Sequence, residues 1–521
     1  MKPDCYAFTQ RRWFIAISFI AVVCVLLVPV MSVEHMQTID LVNHLARQFV
    51  RAEIPSGGVL SKMYTFQWMI IPDLAVDAFI APLQHYFSIY DCGRLLVGAI
   101  IILWTFAPLA LHRALWGRWS VWPLLASMVV YNGNLTWGFD AYLLTSACAV
   151  IAFAGWVATE NKPAIARVAG FTLLSFVLYS GHLIAFGVFG VLVGGYELSK
   201  LYFAGDLRPS ALFRRGIFLS PLFGPELLHF VYLNVTSPPA HGTDTIAFSV
   251  MDRLMTLLSP FLDGMTTVGE TPHTQVALLN FLFLACVVGF LALRNSLAIH
   301  RNMIPSLVVL FVAAAIMPPK LIGVSYTHLR LPFVAVSLFL SSLEAREKKG
   351  HVYAAIAACF AVLTVVRIAF IADNWKIYDA QSKEFIARTA FIHAGEKVLV
   401  TNNRYPAAYV EHYHTASLLV IENQAFIPNL FSGTHVFHAI GDYLRLSPAT
   451  ATHPLDAKLL QLALDGKNPR LNEPAFSYWK TWWKDYDFVI AYQPPGHGDF
   501  YQKQLQPVSE GSFFTVYKVK K

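Results

Sequence analysis

The ionisable side chains able to do chemistry are not scattered along this chain. Glu34, Asp40 and His44 follow the first apolar run, and Asp40, His44 and Arg47 are spaced i, i+4 and i+7. Asp73 follows Pro72 a little further on. Asp140 lies in NLTWGFDAY, His182 in YSGHLIAF, and Lys320, His328 and Arg330 in MPPKLIGVSYTHLR. Glu226 and His229 form an E-x-x-H pair on one helical face. Carboxylates and imidazoles can move protons, and Lys and Arg can hold an anion. A charge inside hydrocarbon is costly unless it is paired or hydrated. These groups are therefore expected to share one hydrated cavity at the outer ends of the apolar segments.

Each residue also has a plainer reading. Asp40 can cap its helix, His44 can be a solvent-facing member of the polar arc, and Arg330 can snorkel to the membrane surface. Asp140 and His182 can serve as capping or packing groups. Asp73 is either a second carboxylate of the site or a cap after Pro72. The Glu226–His229 spacing suits a metal, but two ligands do not make a site, so an interhelical pair is expected and no metal is assigned.

The elements that must position these groups are membrane spans. Apolar residues make up 56% of the 521 and charged residues 14%, against roughly a quarter charged in soluble globules. The deficit belongs to residues 13–372, where apolar runs recur at 13–31, 95–111, 121–131, 141–158, 168–179, 182–198, 217–233, 276–293, 304–317, 331–343 and 352–371. That makes about eleven spans, several of them short for the ~20 residues a bilayer requires. The first, after Arg11 and Arg12, reads as a retained signal anchor. With the N-terminus cytoplasmic, the inside loops hold Lys2, Arg11 and Arg12; Arg113 and Arg118; Lys162 and Arg167; Lys200, Arg208, Arg214 and Arg215; Arg294 and Arg301; Arg346, Lys348 and Lys349. Every inside loop is basic, as the positive-inside rule asks. The net charge of +7 thus reflects topology, and no nucleic-acid partner is indicated. An odd number of spans places the C-terminal region outside.

The first outer loop, 32–94, is long. Its segment TIDLVNHLARQFVR separates completely into a polar and an apolar arc at 100° per residue, which predicts an amphipathic helix lying at the membrane interface. The stretch 63–87 holds Pro72, Asp73, Asp77 and Pro82 and reads as an interfacial or re-entrant helix pair. Another outer loop, 236–273, is rich in Pro, Gly and Thr, with an amphipathic segment at 248–262. None of the six cysteines falls in the C-terminal region, so no disulfides hold it together. From about Asn374, KVLVT, SLLVI, YDFVIAY and Phe513 to Val519 read as short strands, and 456–464 and 478–484 as helices, which predicts a small α/β domain. Trp479, Trp482 and Trp483 look exposed, and either stack on sugar rings or belong to core or interface.

The fold class expected is therefore a polytopic α-helical membrane protein, with a membrane domain at 1–373 and an extracytoplasmic α/β domain at 374–521. That layout resembles the C-type glycosyltransferase superfamily (GT-C), polytopic enzymes that take sugars from polyprenyl-phosphate donors. The resemblance rests on IDLVNHLAR in a long first outer loop, on NLTWGFDAY, YSGHLIAF and MPPKLIGVSYTHLR, and on a C-terminal domain ending in YDFVIAY and FFTVYKV. It implies a transferase of the cell envelope, set in a bacterial inner membrane, with a polyprenyl-phosphate sugar donor, membrane lipids, and a glycan, lipid or protein acceptor as partners. Asp40 would be the general base, with Glu34 or Asp73 as a second carboxylate. Arg330 and Lys320 would hold the lipid phosphate, helped by Arg47, with His44, His328, Asp140 and His182 lining the substrate. The superfamily often carries two adjacent carboxylates where this chain has Ile39 and Asp40, which leaves the base and any divalent metal open. A transporter or flippase of a lipid-linked or anionic substrate, and a non-catalytic envelope-polysaccharide assembly factor, are the alternatives.

Overall fold

Away from water a peptide group must find its partner inside the protein, and a helix does this within one segment. The chain is accordingly mostly helical in a computed structural model, which describes all residues except 1–10, 237–249, 263–271, 322–323, 347–348, 403–409, 433–435, 449–450, 452, 467–477 and 494–502. Cys5, Lys2, Lys348 and most of the 236–273 loop lie outside the described residues. The chain divides into two compact units. One comprises Met1–Met31, Pro72–Val76 and Leu96–Ala372; the other comprises Ser32–Ile71, Asp77–Leu95 and Asp373–Lys521.

Six described helices are long and apolar enough to cross a membrane: Ile89–Trp116, Asp140–Ala158, Ala164–Gly181, Leu183–Phe203, Gln275–Leu293 and Gly350–Thr389. A seventh crossing is possible through Pro209–Leu222 and Gly224–Thr236, bent by 63° where Pro221, Gly224 and Pro225 interrupt the helical bonds. Arg12–Leu26 and Arg301–Ile316 are apolar but shorter. The expected 121–131 span is instead the 3-10 helix Trp122–Val129, buried along its whole length. At about 2 Å per residue it is far too short to cross alone. The expected 331–343 span is the helix Arg330–Ser342, of 13 residues.

The backbone around residues 122–137, short helical turns joined by irregular chain, survives because several of its carbonyls are met from inside the unit. Arg367, itself buried, donates to the carbonyls of Met128 (2.9 Å), Tyr131 and Phe261 (3.0 Å). Asn132 donates to Val129 O and Val130 O and accepts from the Asn134 amide. Sequence reading passed over Arg367 because it is one charge in an otherwise apolar run.

The helix that contains Arg367 runs unbroken from Gly350 to Thr389, well past the expected end at 371. No Gly or Pro interrupts residues 351–389. The composition changes and the helix does not: from Asp373 onward it carries Lys376, Asp379, Lys383, Glu384 and Arg388.

In the second unit a five-stranded sheet runs in the order Leu505–Glu510, Phe514–Val519, Phe488–Tyr492, Val398–Asn402, Leu455–Asp456. Val398–Asn402 lies parallel to Phe488–Tyr492, with Val398 opposite Phe488. Both are buried throughout, as continuous apolar strands covered on both faces must be. The segment SLLVI departs from expectation: it forms the helix Leu418–Glu422, since a five-residue apolar run has no periodicity to separate strand from helix. The 63–87 stretch is not a helix pair. Tyr64–Phe66 is a strand antiparallel to Phe437–Ala439, and Ala75–Leu83 is a single helix. Trp479 and Trp482 are buried, and the Trp482 indole donates to Leu460 O at 3.1 Å, so neither is open to a sugar ring.

Arg367→Leu strands three carbonyls with no water to replace the lost donor. We expect a loss of about 3 kcal/mol or more, read as a lower unfolding midpoint of the detergent-solubilised protein, whereas Val366→Leu one position away should change it little.

Candidate functional site

The helix Leu41–Glu53 organises the second unit. Leu41, Leu45, Ala46 and Val50 are buried on its apolar side, but Asn43 and Gln48 on the polar side are buried as well. The expectation of a helix floating at the interface is therefore corrected: its polar arc is bound by protein. Asn43 has every polar position assigned. Its amide group donates to Asn429 O at 2.8 Å and to His414 Nδ1 at 3.1 Å, and its carbonyl oxygen accepts from the Phe431 amide at 2.8 Å. Since Nδ1 of His414 accepts, the ring proton sits on Nε2. That nitrogen faces Asp40 Oδ1 at 3.3 Å.

Asp40 immediately precedes the helix. Its carbonyl accepts the amides of Asn43 and His44, but its carboxylate makes no capping bond. The capping reading of Asp40 is thus not what the side chain does. His414 is almost fully buried while the Asp40 carboxylate retains 18% exposure. An exposed edge on an otherwise enclosed carboxylate is the geometry a general base requires. His414 escaped the sequence reading because 374 positions separate it from Asp40 and nothing local marks it.

The neighbouring carboxylate is used differently. Asp77 is buried, accepts from Gln48 Nε2, and lies 3.4 Å from Arg47 Nη2. Gln48 in turn accepts from Arg51 at 2.8 Å. Arg47 therefore has a carboxylate partner within its own unit, and its guanidinium sits 5.7 Å above the Phe437 ring. His44 packs edge-on against Phe431 at 5.3 Å. Burial, reinforced by the Arg47 charge, lowers its pKa to about 4, so it is neutral at pH 7. Glu34 is half-exposed and forms a 3.8 Å ion pair with Lys383. The adjacent Asp379 takes the His35 ring and amide, both at 2.9 Å.

The remaining candidates belong to the first unit. Asp73 is exposed there and holds a left-handed φ of 97°, a backbone state that costs a non-glycine residue free energy. Arg330 is buried at the start of the helix Arg330–Ser342. Its guanidinium lies 4.5 Å from the Phe139 ring centre and 5.6 Å from that of Tyr142, and the Tyr142 hydroxyl donates to Arg330 O at 2.7 Å. Arg330 Nη1 stands 2.7 Å from His182 Nε2, while His182 Nδ1 accepts the Ile184 amide as the cap of the next helix. A neutral imidazole has one acceptor nitrogen. With Nδ1 accepting, Nε2 is protonated and meets Arg330 donor to donor.

Asp140 is fully buried at the start of the helix Asp140–Ala158. Lys320 lies on a short hairpin, paired with Ser325. Tyr326, left-handed at φ 57°, stacks 4.4 Å from Trp137, and His328 follows within the turn Thr327–Leu329. Glu226 is buried, and His229 bonds the Tyr179 hydroxyl at 3.0 Å. Among the described residues no three His, Cys, Asp or Glu side chains group as metal ligands. Glu34, Asp40, His44 and Arg47 thus belong to the second unit, and Asp73, Asp140, His182, Lys320, His328 and Arg330 to the first.

No family model matches the chain, and no curated protein does. Among solved structures the chain is similar to ArnT from Cupriavidus metallidurans bound to undecaprenyl phosphate, at 13% identity and a TM-score of 0.48, covering 96% of this chain and 97% of that one. It is similar also to the same protein in the apo state, at 11% identity and a TM-score of 0.48 over the same shares. At this degree the likeness decides neither substrate nor site residues for this chain.

The buried histidines make acid stability testable. His44 is held near 4, and His412, stacked 3.6 Å from the Phe513 ring, is held at about 3 by burial. Both lie below the unfolded value of about 6.5, so the unfolded chain binds more protons between these limits. Stability is then complete above about pH 6.5 and falls as pH drops toward 4. Thermal unfolding at pH 7 and pH 5 should show this loss, and His412→Phe should reduce the difference between the two midpoints.

Proposed function

We propose that this membrane protein is a glycosyltransferase. It moves a sugar from a polyprenyl-phosphate donor to a glycan, lipid or protein acceptor on the outer face of a bacterial inner membrane. In this reading the N-terminus is cytoplasmic, residues 1–373 form the membrane domain, and residues 374–521 lie outside. One observation carries the proposal: Asp40 is presented to a histidine whose tautomer Asn43 sets, with its carboxylate spent neither on capping nor on an Arg or Lys ion pair among the described residues.

The chemistry follows from that placement. His414 Nε2 lies 3.3 Å from one oxygen of Asp40 and faces that side of the carboxylate. The other oxygen is then available to take the proton from an acceptor hydroxyl as the hydroxyl attacks the anomeric carbon. The bond to the lipid phosphate breaks, and the phosphate leaves with its own negative charge. It needs a cation and no acid, a role that Arg330 fills, assisted by Lys320. His182 and Arg330 offer donors to one phosphate oxygen, while His328, Asp140 and His44 shape the surroundings. Arg47 acts by holding Asp77.

Membranes containing the protein, given radiolabelled polyprenyl-phosphate sugars, test this directly. Asp40→Asn should lower transfer about 10²–10⁴-fold, and Arg330→Met should do likewise, with both proteins still present at wild-type levels. Equal transfer by Asp40→Asn would move the base to Glu34 or Asp73. No transfer by the wild type across a broad donor panel would favour a transporter, a flippase or an assembly factor.

A further inference from the structure

A groove in the first unit has no part in the reaction above. It lies between the end of the helix Leu183–Phe203 and the start of Ile304–Ile316, encloses about 350 Å³, and is walled by Leu198, Tyr202, Phe203, Leu207, Ile304 and Arg301. Its apolar residues are about half exposed, although both helices are apolar enough to lie in a membrane. At one end sits Arg301, with its guanidinium 4.5 Å from the Phe203 ring centre. Stacking of this kind holds the cation's plane and leaves its N–H edge directed outward.

The cations around it are already matched. Lys200 pairs with Glu160, Arg208 with Asp206, and Arg215 with Glu197. Among the described residues no carboxylate pairs with Arg301. Its stacking on the Phe203 ring leaves its charge uncompensated beside an apolar trough. An exposed tyrosine, Tyr202, stands at the rim, where membrane interfaces concentrate such residues. The positive-inside reading puts Arg301 on the cytoplasmic side, where anionic lipids collect.

We propose that this groove holds an anionic glycerophospholipid, with one acyl chain along Leu198, Phe203 and Ile304 and the phosphodiester on Arg301. The occupant's charge follows from the count of cations. One guanidinium balances the single negative charge of a phosphodiester. A phosphate monoester such as a polyprenyl phosphate approaches two charges and would call for a second free cation in the wall.

The test uses the full-length protein in detergent, with thermal unfolding and native mass spectrometry read against phosphatidylglycerol, phosphatidylcholine and a polyprenyl phosphate. A ligand that binds only the folded state raises the midpoint. Phosphatidylglycerol should do so and be retained as a bound mass, while phosphatidylcholine should do neither. Arg301→Leu should weaken phosphatidylglycerol binding about tenfold or more, and Arg208→Leu should leave it unchanged. Should Arg301→Leu fail to fold, Leu207→Trp fills the groove while keeping the charge, and is expected to lose the bound lipid. The proposal is overturned by an equal effect of phosphatidylcholine, by lipid retained in Arg301→Leu or Leu207→Trp, or by an Arg301-dependent effect of polyprenyl phosphate alone.

Discussion

Backbone carbonyls withdrawn from water need donors from the protein, and the irregular part of the first unit is organised around that requirement. Helices satisfy their backbone automatically. The short helical turns of Trp122–Trp137 and the chain between them do so only in part, and Arg367 and Asn132 supply donors to carbonyls left over. Indole donors close further gaps, Trp104 to Leu143 O and Trp122 to Leu340 O. A short, irregular, buried stretch is stable at membrane depth only when protein groups take the place of water. The same stretch leads into Phe139, Asp140 and Tyr142, so the groups that pack around Arg330 depend on that backbone being held.

The second unit obeys the same rule with a different result. Asn43 uses its donors and its acceptor on three different partners, which fixes its own orientation and through it the tautomer of His414. A proton position is thereby determined two residues away from the group it serves. Asp77 and Asp40 flank the same helix yet differ in kind. Asp77 is enclosed by Gln48 and Arg47, which stabilises its charge and leaves it no edge for a substrate. Asp40 keeps an exposed edge beside the His414 ring. Proton transfer requires an accessible oxygen, so burial and not sequence neighbourhood separates the enclosed carboxylate from the accessible one.

Much of the architecture was legible in the chain. Apolar runs of membrane length, basic residues between them, and the strands KVLVT and YDFVIAY all follow from local composition and periodicity. So does the helix that carries His44 and Arg47, because its two arcs separate cleanly. SLLVI was not legible, since five apolar residues suit a strand or a helix equally. Trp479, Trp482 and Trp483 sit among charged neighbours and look exposed, yet the first two are core. The helix past Ile371 was cut short because a change in hydropathy was read as an end, although only Gly, Pro or a cap would have stopped it.

Local sequence therefore determined which segments are apolar, which helices are two-faced, and which ionisable groups cluster near the ends of apolar runs. These properties depend on residues within a few turns of one another. Tertiary structure alone decided that Asp40 meets His414, that Asp77 rather than Asp73 is enclosed, and that Arg330 stacks on Phe139 beside His182. Those pairings join residues 30 to nearly 400 positions apart. Such contacts are selected by the packing and polar satisfaction of a whole unit, and no local pattern encodes them.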